Sequence, residues 1–119
     1  MLSDKEIAEI LDRAADYKQS YEHRIGGFFD YGTKMDWVLE EGNGAASVRP
    51  VTEPKAVCMF AAVSYACDYS AVKTEQVVTK FGEIVGRSIC SFNNTQATAE
   101  ACAEKFREVA TTLRASVPV

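Results

Sequence analysis

Four cysteines and one histidine are the residues of this chain best suited to nucleophilic, basic or metal-binding chemistry. Cys58, Cys67, Cys90 and Cys102 lie in apolar stretches without a short CxxC spacing, so a zinc site would need scattered cysteines to converge. A catalytic pair would need His23 beside one of them. We interpret the cysteines as buried free thiols and His23 as a surface residue. The sequence therefore predicts no metal, no cofactor and no catalytic residue.

Carboxylates offer a second kind of chemistry. Asp36, Glu40 and Glu41 are close in sequence, and on a helix Asp36 and Glu40 would share a face. Such a pair could act as general acid and base in a pocket, and it could equally line a solvated edge. No P-loop, nucleotide-binding glycine fingerprint, GxSxG or HExxH accompanies it. A small enzyme using Asp36 and Glu40 is thus the alternative function.

Aromatic residues and glycines are interleaved between positions 24 and 37. The residues are Phe28, Phe29, Tyr31 and Trp37, with Gly26, Gly27 and Gly32 among them. Exposed aromatic rings anchor interfaces and stack on flat ligands, although the same rings could cover the open side of a helical core. We predict that these four aromatic residues bind a ligand or partner, with Arg24 and Lys34 available to an anionic group.

Asn93 and Asn94 form a second candidate binding site. They precede the last predicted helix, where their amides could bind a ligand beside the free backbone amides of the helix N-terminus. Capping of that helix is the simpler explanation for both residues.

A mainly α fold must position these residues. Residues 56–67 carry no charge, and a helix that is apolar on every side must be surrounded. We therefore predict a central helix over about 54–69, capped by Thr52. Three amphipathic helices should pack around it.

The first amphipathic helix should begin at the capping box of Ser3 and Glu6 and run to about Tyr21. Its predicted core stripe consists of Ile7, Ile10, Leu11, Ala14, Lys18 and Tyr21. Thr74 should cap the next helix. The last helix carries a strict apolar stripe of Ala99, Cys102, Phe106, Val109 and Leu113.

Helical periodicity fails between these elements. Residues 33–51 predict a small β-hairpin around the turn signal at 41–44, with a short helix over 33–41 as the competing interpretation. Residues 88–92 predict an extended segment followed by a turn at 93–95. The fold class is mainly α (α+β), a single domain over 1–119 with a flexible tail at 115–119.

Composition limits the function classes. The net charge of −4 and the absence of clustered lysines and arginines argue against nucleic-acid binding. The apolar runs fall short of the roughly 20 residues that a membrane span needs. An acidic start at residues 3–6 is unlike a secretory signal, so we expect a cytoplasmic protein.

The C-terminal half resembles a family of small uncharacterised proteins from actinobacteria and their phages. That family has a cysteine-containing, alanine-rich helix, then a Trp-Asn-Asp turn and a final amphipathic helix. The matching residues are Val57, Cys58, Ala61, Ala62 and Ala66, then Ile89, Phe92, Asn93 and Asn94, then Thr98 and Glu100. Phe92 replaces the tryptophan, Asn94 replaces the aspartate, and the glycine that commonly follows the cysteine is absent. The resemblance implies a small accessory protein, phage or bacterial in origin.

These observations favour a non-enzymatic binding protein that occupies a host protein or sequesters a small molecule. It could form a homo-oligomer, and in a purely structural role the stripe of the last helix would be the dimer seam.

Overall fold

The computed structural model describes residues 1–23, 29–30, 37–42, 45–50 and 56–115, with side chains described for 1–23 and 56–115. In chain order the elements are α1 Asp4–Gln19, β1 Glu22–His23, β2 Phe29–Asp30, β3 Trp37–Gly42, β4 Ala45–Pro50, β5 Ala56–Val57, α2 Met59–Ala66, α3 Ala71–Val85, α4 Ile89–Thr95 and α5 Ala99–Ala115. The predicted mainly helical fold with a small β element is confirmed.

Helix α1 begins at the predicted capping box. The Ser3 hydroxyl accepts a hydrogen bond from the Glu6 amide at 3.1 Å, and the Glu6 carboxylate accepts one from the Ser3 amide at 3.0 Å. The helix buries one face, formed by Ile7, Ala8, Ile10, Leu11, Ala14, Ala15 and Lys18. Lys18 therefore belongs to the core, as its place in the predicted stripe required.

Helix α5 is the main packing partner of α1. Its predicted stripe is buried inside the chain, with relative exposures of 8% for Ala99 and no more than 3% for Cys102, Phe106, Val109 and Leu113. Arg107 and Arg114 bond to Asp16 and Asp12 of α1 at the exposed margin of this contact. These stripe side chains fill the core of one chain, so they are not available as a dimer seam.

Helix α2 begins later than predicted. Its N-cap is Cys58, whose sulfur accepts a hydrogen bond from the Ala61 amide at 3.4 Å, and residues 56–57 form strand β5 instead of a first helical turn. Strand β5 pairs with β1 in parallel and with β2 in antiparallel orientation. Pairing on both sides satisfies the buried backbone of Ala56 and Val57, and this tertiary contact overrides the local preference for helix.

The connection from α3 to α5 also differs from the prediction. Ser70, not Thr74, caps α3, and Thr74 is buried within the helix. Residues 89–95 form helix α4, which Ser88 caps through its hydroxyl, so the predictions of an extended segment at 88–92 and of a turn at 93–95 are wrong. Burial of Ile89, Phe92 and Asn93 on one side of α4 explains the helix, because residues three and four apart share a helical face.

Strands β3 and β4 form the predicted hairpin. They are antiparallel, with Trp37 opposite Pro50 and Gly42 opposite Ala45. The competing helix over 33–41 is wrong for residues 37–41, which are all in β3. Within the described residues, no helix is long and apolar enough to cross a membrane.

Candidate functional site

Most of the predicted aromatic site lies outside the residues that the structure describes. Arg24, Phe28, Tyr31, Lys34 and Asp36 lie outside the described residues, and Phe29, Trp37 and Glu40 are described only as strand backbone. The predictions of an aromatic binding segment and of an Asp36–Glu40 acid–base pair therefore stay predictions.

Asn93 is engaged by the protein itself. Its side chain is 1% exposed, and its Oδ1 accepts a hydrogen bond from the Met59 amide at 2.9 Å. Its Nδ2 donates to Oδ1 of the exposed Asn94 at 3.2 Å. Asn93 thus supplies an acceptor to the first turn of α2, which favours a structural role over ligand binding.

A buried polar cluster joins the end of α1 to the C-terminal helices. We call it the lysine–histidine node: Lys18, His23, Gln96 and Cys102. The Lys18 Nζ lies 2.9 Å from His23 Nδ1, the His23 Nε2 lies 2.9 Å from the Gln96 carbonyl oxygen, and the Cys102 sulfur lies 3.8 Å from Nδ1. Lys18 is fully buried. His23 is half-buried in this node, so the prediction of a surface histidine is wrong.

The Gln96 carbonyl assigns the histidine tautomer. A carbonyl oxygen can only accept, so the proton resides on Nε2 and the lone pair of Nδ1 faces Lys18. Lys18 then donates to Nδ1. Burial lowers the pKa of the His23 imidazole, and the positive charge of Lys18 lowers it further. Burial also lowers the pKa of Lys18.

This geometry works against a cysteine nucleophile in the node. Burial raises the pKa of the Cys102 thiol, although the nearby Lys18 charge partly offsets this effect. The lone pair that would accept the thiol proton already binds Lys18, and the thiol is fully buried. Cys102 is therefore a protonated, sheltered thiol with the properties of a structural residue.

The other cysteines divide between core and surface. Cys58 and Cys67 are buried and burial raises the pKa of both thiols, whereas Cys90 is exposed on α4. The prediction of buried free thiols is thus wrong for Cys90. Among the residues with described side chains, no group of three or more His, Cys, Asp or Glu could hold a metal ion.

Four tyrosines form a row on the surface beside the node. We call Tyr17, Tyr21, Tyr65 and Tyr69 the tyrosine row. Tyr17 stacks on Tyr65 with ring centroids 3.8 Å apart, Tyr21 lies tilted against Tyr17 at 4.8 Å, and Tyr69 meets Tyr65 edge-on at 6.2 Å. Tyr65 is 45% exposed although it belongs to the most apolar helix of the chain.

A left-handed turn holds one end of this row. Asp68 and Tyr69 have φ angles of 53° and 60°, a conformation that costs energy for residues other than glycine. The Tyr69 amide donates to the Ser64 carbonyl at 2.7 Å, and the Ser70 amide donates to the Cys67 carbonyl at 3.0 Å. These bonds fix the turn that places Tyr69 against Tyr65.

The tyrosine row borders an open pocket of about 420 Å³, whose lining residues are Arg13, Asp16, Tyr17, Ser20, Tyr21 and Tyr65. Two of them are already engaged: Asp16 is paired with Arg107 at 3.0 Å, and the Ser20 hydroxyl donates to the Asp16 carbonyl at 2.9 Å. The Arg13 guanidinium and the Tyr65 hydroxyl have no ion-pair or hydrogen-bond partner in the described part of the chain. Two donors therefore remain at the mouth of the pocket.

Sequence reasoning missed both arrangements. Tyr17 and Tyr21, and likewise Tyr65 and Tyr69, are four residues apart, a spacing that places side chains on one helical face and could have indicated a shared surface. The node gave a weaker signal, a lysine in an apolar stripe. His23 follows Lys18 by only five residues, but Gln96 and Cys102 lie at distant positions that only the fold brings near.

Comparison of the chain with protein-family models, curated proteins and solved structures finds no match.

Proposed function

We propose that this chain is a non-enzymatic accessory protein, and that the tyrosine row with its pocket is the surface on which it binds a partner protein or a small ligand. The observation that carries the proposal is the exposed ring of Tyr65, stacked on Tyr17 at a pocket where the described residues leave two donors unengaged. Tyrosine and arginine dominate the energetics of protein interfaces, because each offers a large contact area and a polar group.

The condition of the node supports binding over catalysis. Cys102 and His23 are the described pair closest to a nucleophile with its base, yet Lys18 occupies the base and burial keeps the thiol protonated. The hydrogen bond from Lys18 to His23 helps to fix the end of α1, where Tyr17 and Tyr21 lie. The node thus helps to keep the tyrosine row in place.

Retention of host proteins on the immobilised full chain tests the proposal. Tyr65→Ser removes the most exposed ring of the row and should abolish retention of the partner. Ile84→Ser is the matched control, since Ile84 is an exposed apolar residue of α3, at 37% relative exposure, that does not line the pocket. This variant should retain the partner as the wild type does.

Two results would count against the proposal. Equal retention of the same proteins by the wild type and by Tyr65→Ser would remove the tyrosine row from the interface. Loss of retention in both variants would show a nonspecific effect of reduced surface apolarity. Native mass spectrometry of the purified chain would report any small ligand as mass beyond 13.1 kDa.

A further inference from the structure

The geometry points to an oxyanion carried on an apolar body as the group that the tyrosine pocket binds, with the Arg13 guanidinium and the Tyr65 hydroxyl as its donors. This inference rests on the proposed function, because it names the ligand chemistry of the same surface. Carboxylates and phosphate esters share that chemistry.

Arg13 is the unpaired charge of the pocket. It is exposed on α1, and none of the ion pairs among the described residues includes it. It lies close enough to the end of α2 for its charge to lower the pKa of Cys67 against the larger effect of burial. A guanidinium binds carboxylate and phosphate oxygens through two parallel hydrogen bonds, which suits an oxyanion at this position.

The acidic residue of the pocket is neutralised from outside. Asp16 would repel an anion, but Arg107 of α5 donates to its carboxylate at 3.0 Å and to the Gln19 side chain at 2.9 Å. Among the described residues that line the pocket, Arg13 is then the charge that is left without a counterion, although the whole chain has a net charge of −4.

The packing of the rings favours the same sign of charge. Tyr17 and Tyr65 turn faces toward each other, with an interplanar angle of 14°. Aromatic faces are electron-rich and aromatic edges carry partial positive charge. Because the two rings contact each other through their faces, their weakly positive edges lie outside the stack. Both rings line the pocket, so they offer apolar contact to the body of a ligand whose anionic head meets the donors.

Nuclear magnetic resonance titrations of the full-length chain test this inference with defined probes. Benzoate and phenyl phosphate should give saturable shifts confined to the amides around residues 13–21 and 65–69. Benzamide, the uncharged match of benzoate, and inorganic phosphate, which lacks the apolar body, should bind more weakly, each by roughly tenfold.

Three variants sharpen the titration. Arg13→Gln should weaken benzoate binding roughly tenfold, since it removes a charge-assisted hydrogen bond. Asp16→Asn should tighten it, because Asp16 is the one acidic residue among the described residues that line the pocket. Arg87→Gln, at an exposed arginine away from the pocket, should leave it unchanged.

Equal affinity for benzamide and benzoate, or an Arg13→Gln variant that binds benzoate as the wild type does, would overturn the inference. Both outcomes leave the proposed function intact if the partner is still lost in Tyr65→Ser. Unchanged retention of the partner by Tyr65→Ser would instead refute the proposed function, whatever the titration gives.

Discussion

Tyr17 and Lys18 are neighbours in the chain, yet they belong to opposite kinds of environment. Tyr17 stacks in the tyrosine row at the surface, and Lys18 is fully buried in the lysine–histidine node. In the node the protein supplies the hydrogen-bond partners, as His23 and Gln96 show. At the pocket, the Arg13 guanidinium and the Tyr65 hydroxyl have no hydrogen-bond or ion-pair partner among the described residues. Under the proposed function, the last turn of α1 serves stability on one side and recognition on the other.

The strongest test of this contrast is to remove the acceptor from the node. His23→Ala leaves the Lys18 ammonium buried without its acceptor and should lower the free energy of unfolding by about 3 kcal/mol. Urea denaturation followed by circular dichroism measures the change.

A second substitution identifies the cause. His23→Ala combined with Lys18→Met removes the stranded charge and keeps an apolar side chain of similar length, so the double variant should be more stable than His23→Ala alone. If the double variant is less stable, the loss comes from the missing imidazole packing and not from the buried charge.

The node should also make the free energy of unfolding depend on pH, with a smaller effect than that of His23→Ala. The unfolded chain protonates His23 near pH 6.5, while the folded chain resists protonation because its pKa is lowered by burial and by Lys18. The unfolded state then binds more protons, so stability falls as the pH drops below about 6.5, with a slope of at most about 1.4 kcal/mol per pH unit. The loss is complete once the pH is below the folded-state pKa.

Unfolding midpoints between about pH 8 and about pH 5 measure this effect. His23 is the only histidine of the chain, so His23→Gln should flatten the dependence in this range. A wild-type profile that is already flat would mean that the folded protein accepts the proton without breaking the bond from Lys18.

The smallest effect on stability is expected at the surface. Tyr65→Ser removes one half of a stacked pair from a ring that is 45% exposed, so it should cost about 0.5 to 1 kcal/mol while abolishing partner binding. A loss as large as that of His23→Ala would mean that the tyrosine row is part of the core.

Sequence periodicity predicted the helices whose packing is amphipathic and local. The predicted stripes were confirmed for α5 and, from Ile7 to Lys18, for α1, because a helix with one apolar face has one way to bury it. The capping box at Ser3 was confirmed for the same reason, since its partners are three residues apart. Tyr21, the last residue of the predicted α1 stripe, lies beyond the helix and is half-buried.

The errors occur where distant contacts decide the structure. Residues 56–57 form a strand because two other strands flank them, and residues 89–95 are helical because Ile89 and Phe92 are buried in the core. The local sequence pattern shows neither the flanking strands nor the core residues that cover α4.

The sequence did not predict the candidate surface, because the ring–ring contacts that define it form only in the folded chain. In the sequence, tyrosines in or near helix ends look like ordinary amphipathic residues, and only the fold stacks Tyr17 on Tyr65. The aromatic segment that the sequence did suggest, between positions 24 and 37, lies mostly outside the described residues.

The pairing of α1 with α5 also sets an order of events during synthesis. Asp12 and Arg114, which are bonded in the folded chain, lie 102 positions apart. At a translation rate of about 5 to 20 residues per second, Asp12 is made roughly 5 to 20 s before Arg114. Throughout that interval the apolar stripe of α1 lacks its main packing partner. The node can be completed only after the ribosome has delivered Cys102 of α5, whereas all four residues of the tyrosine row are made well before it.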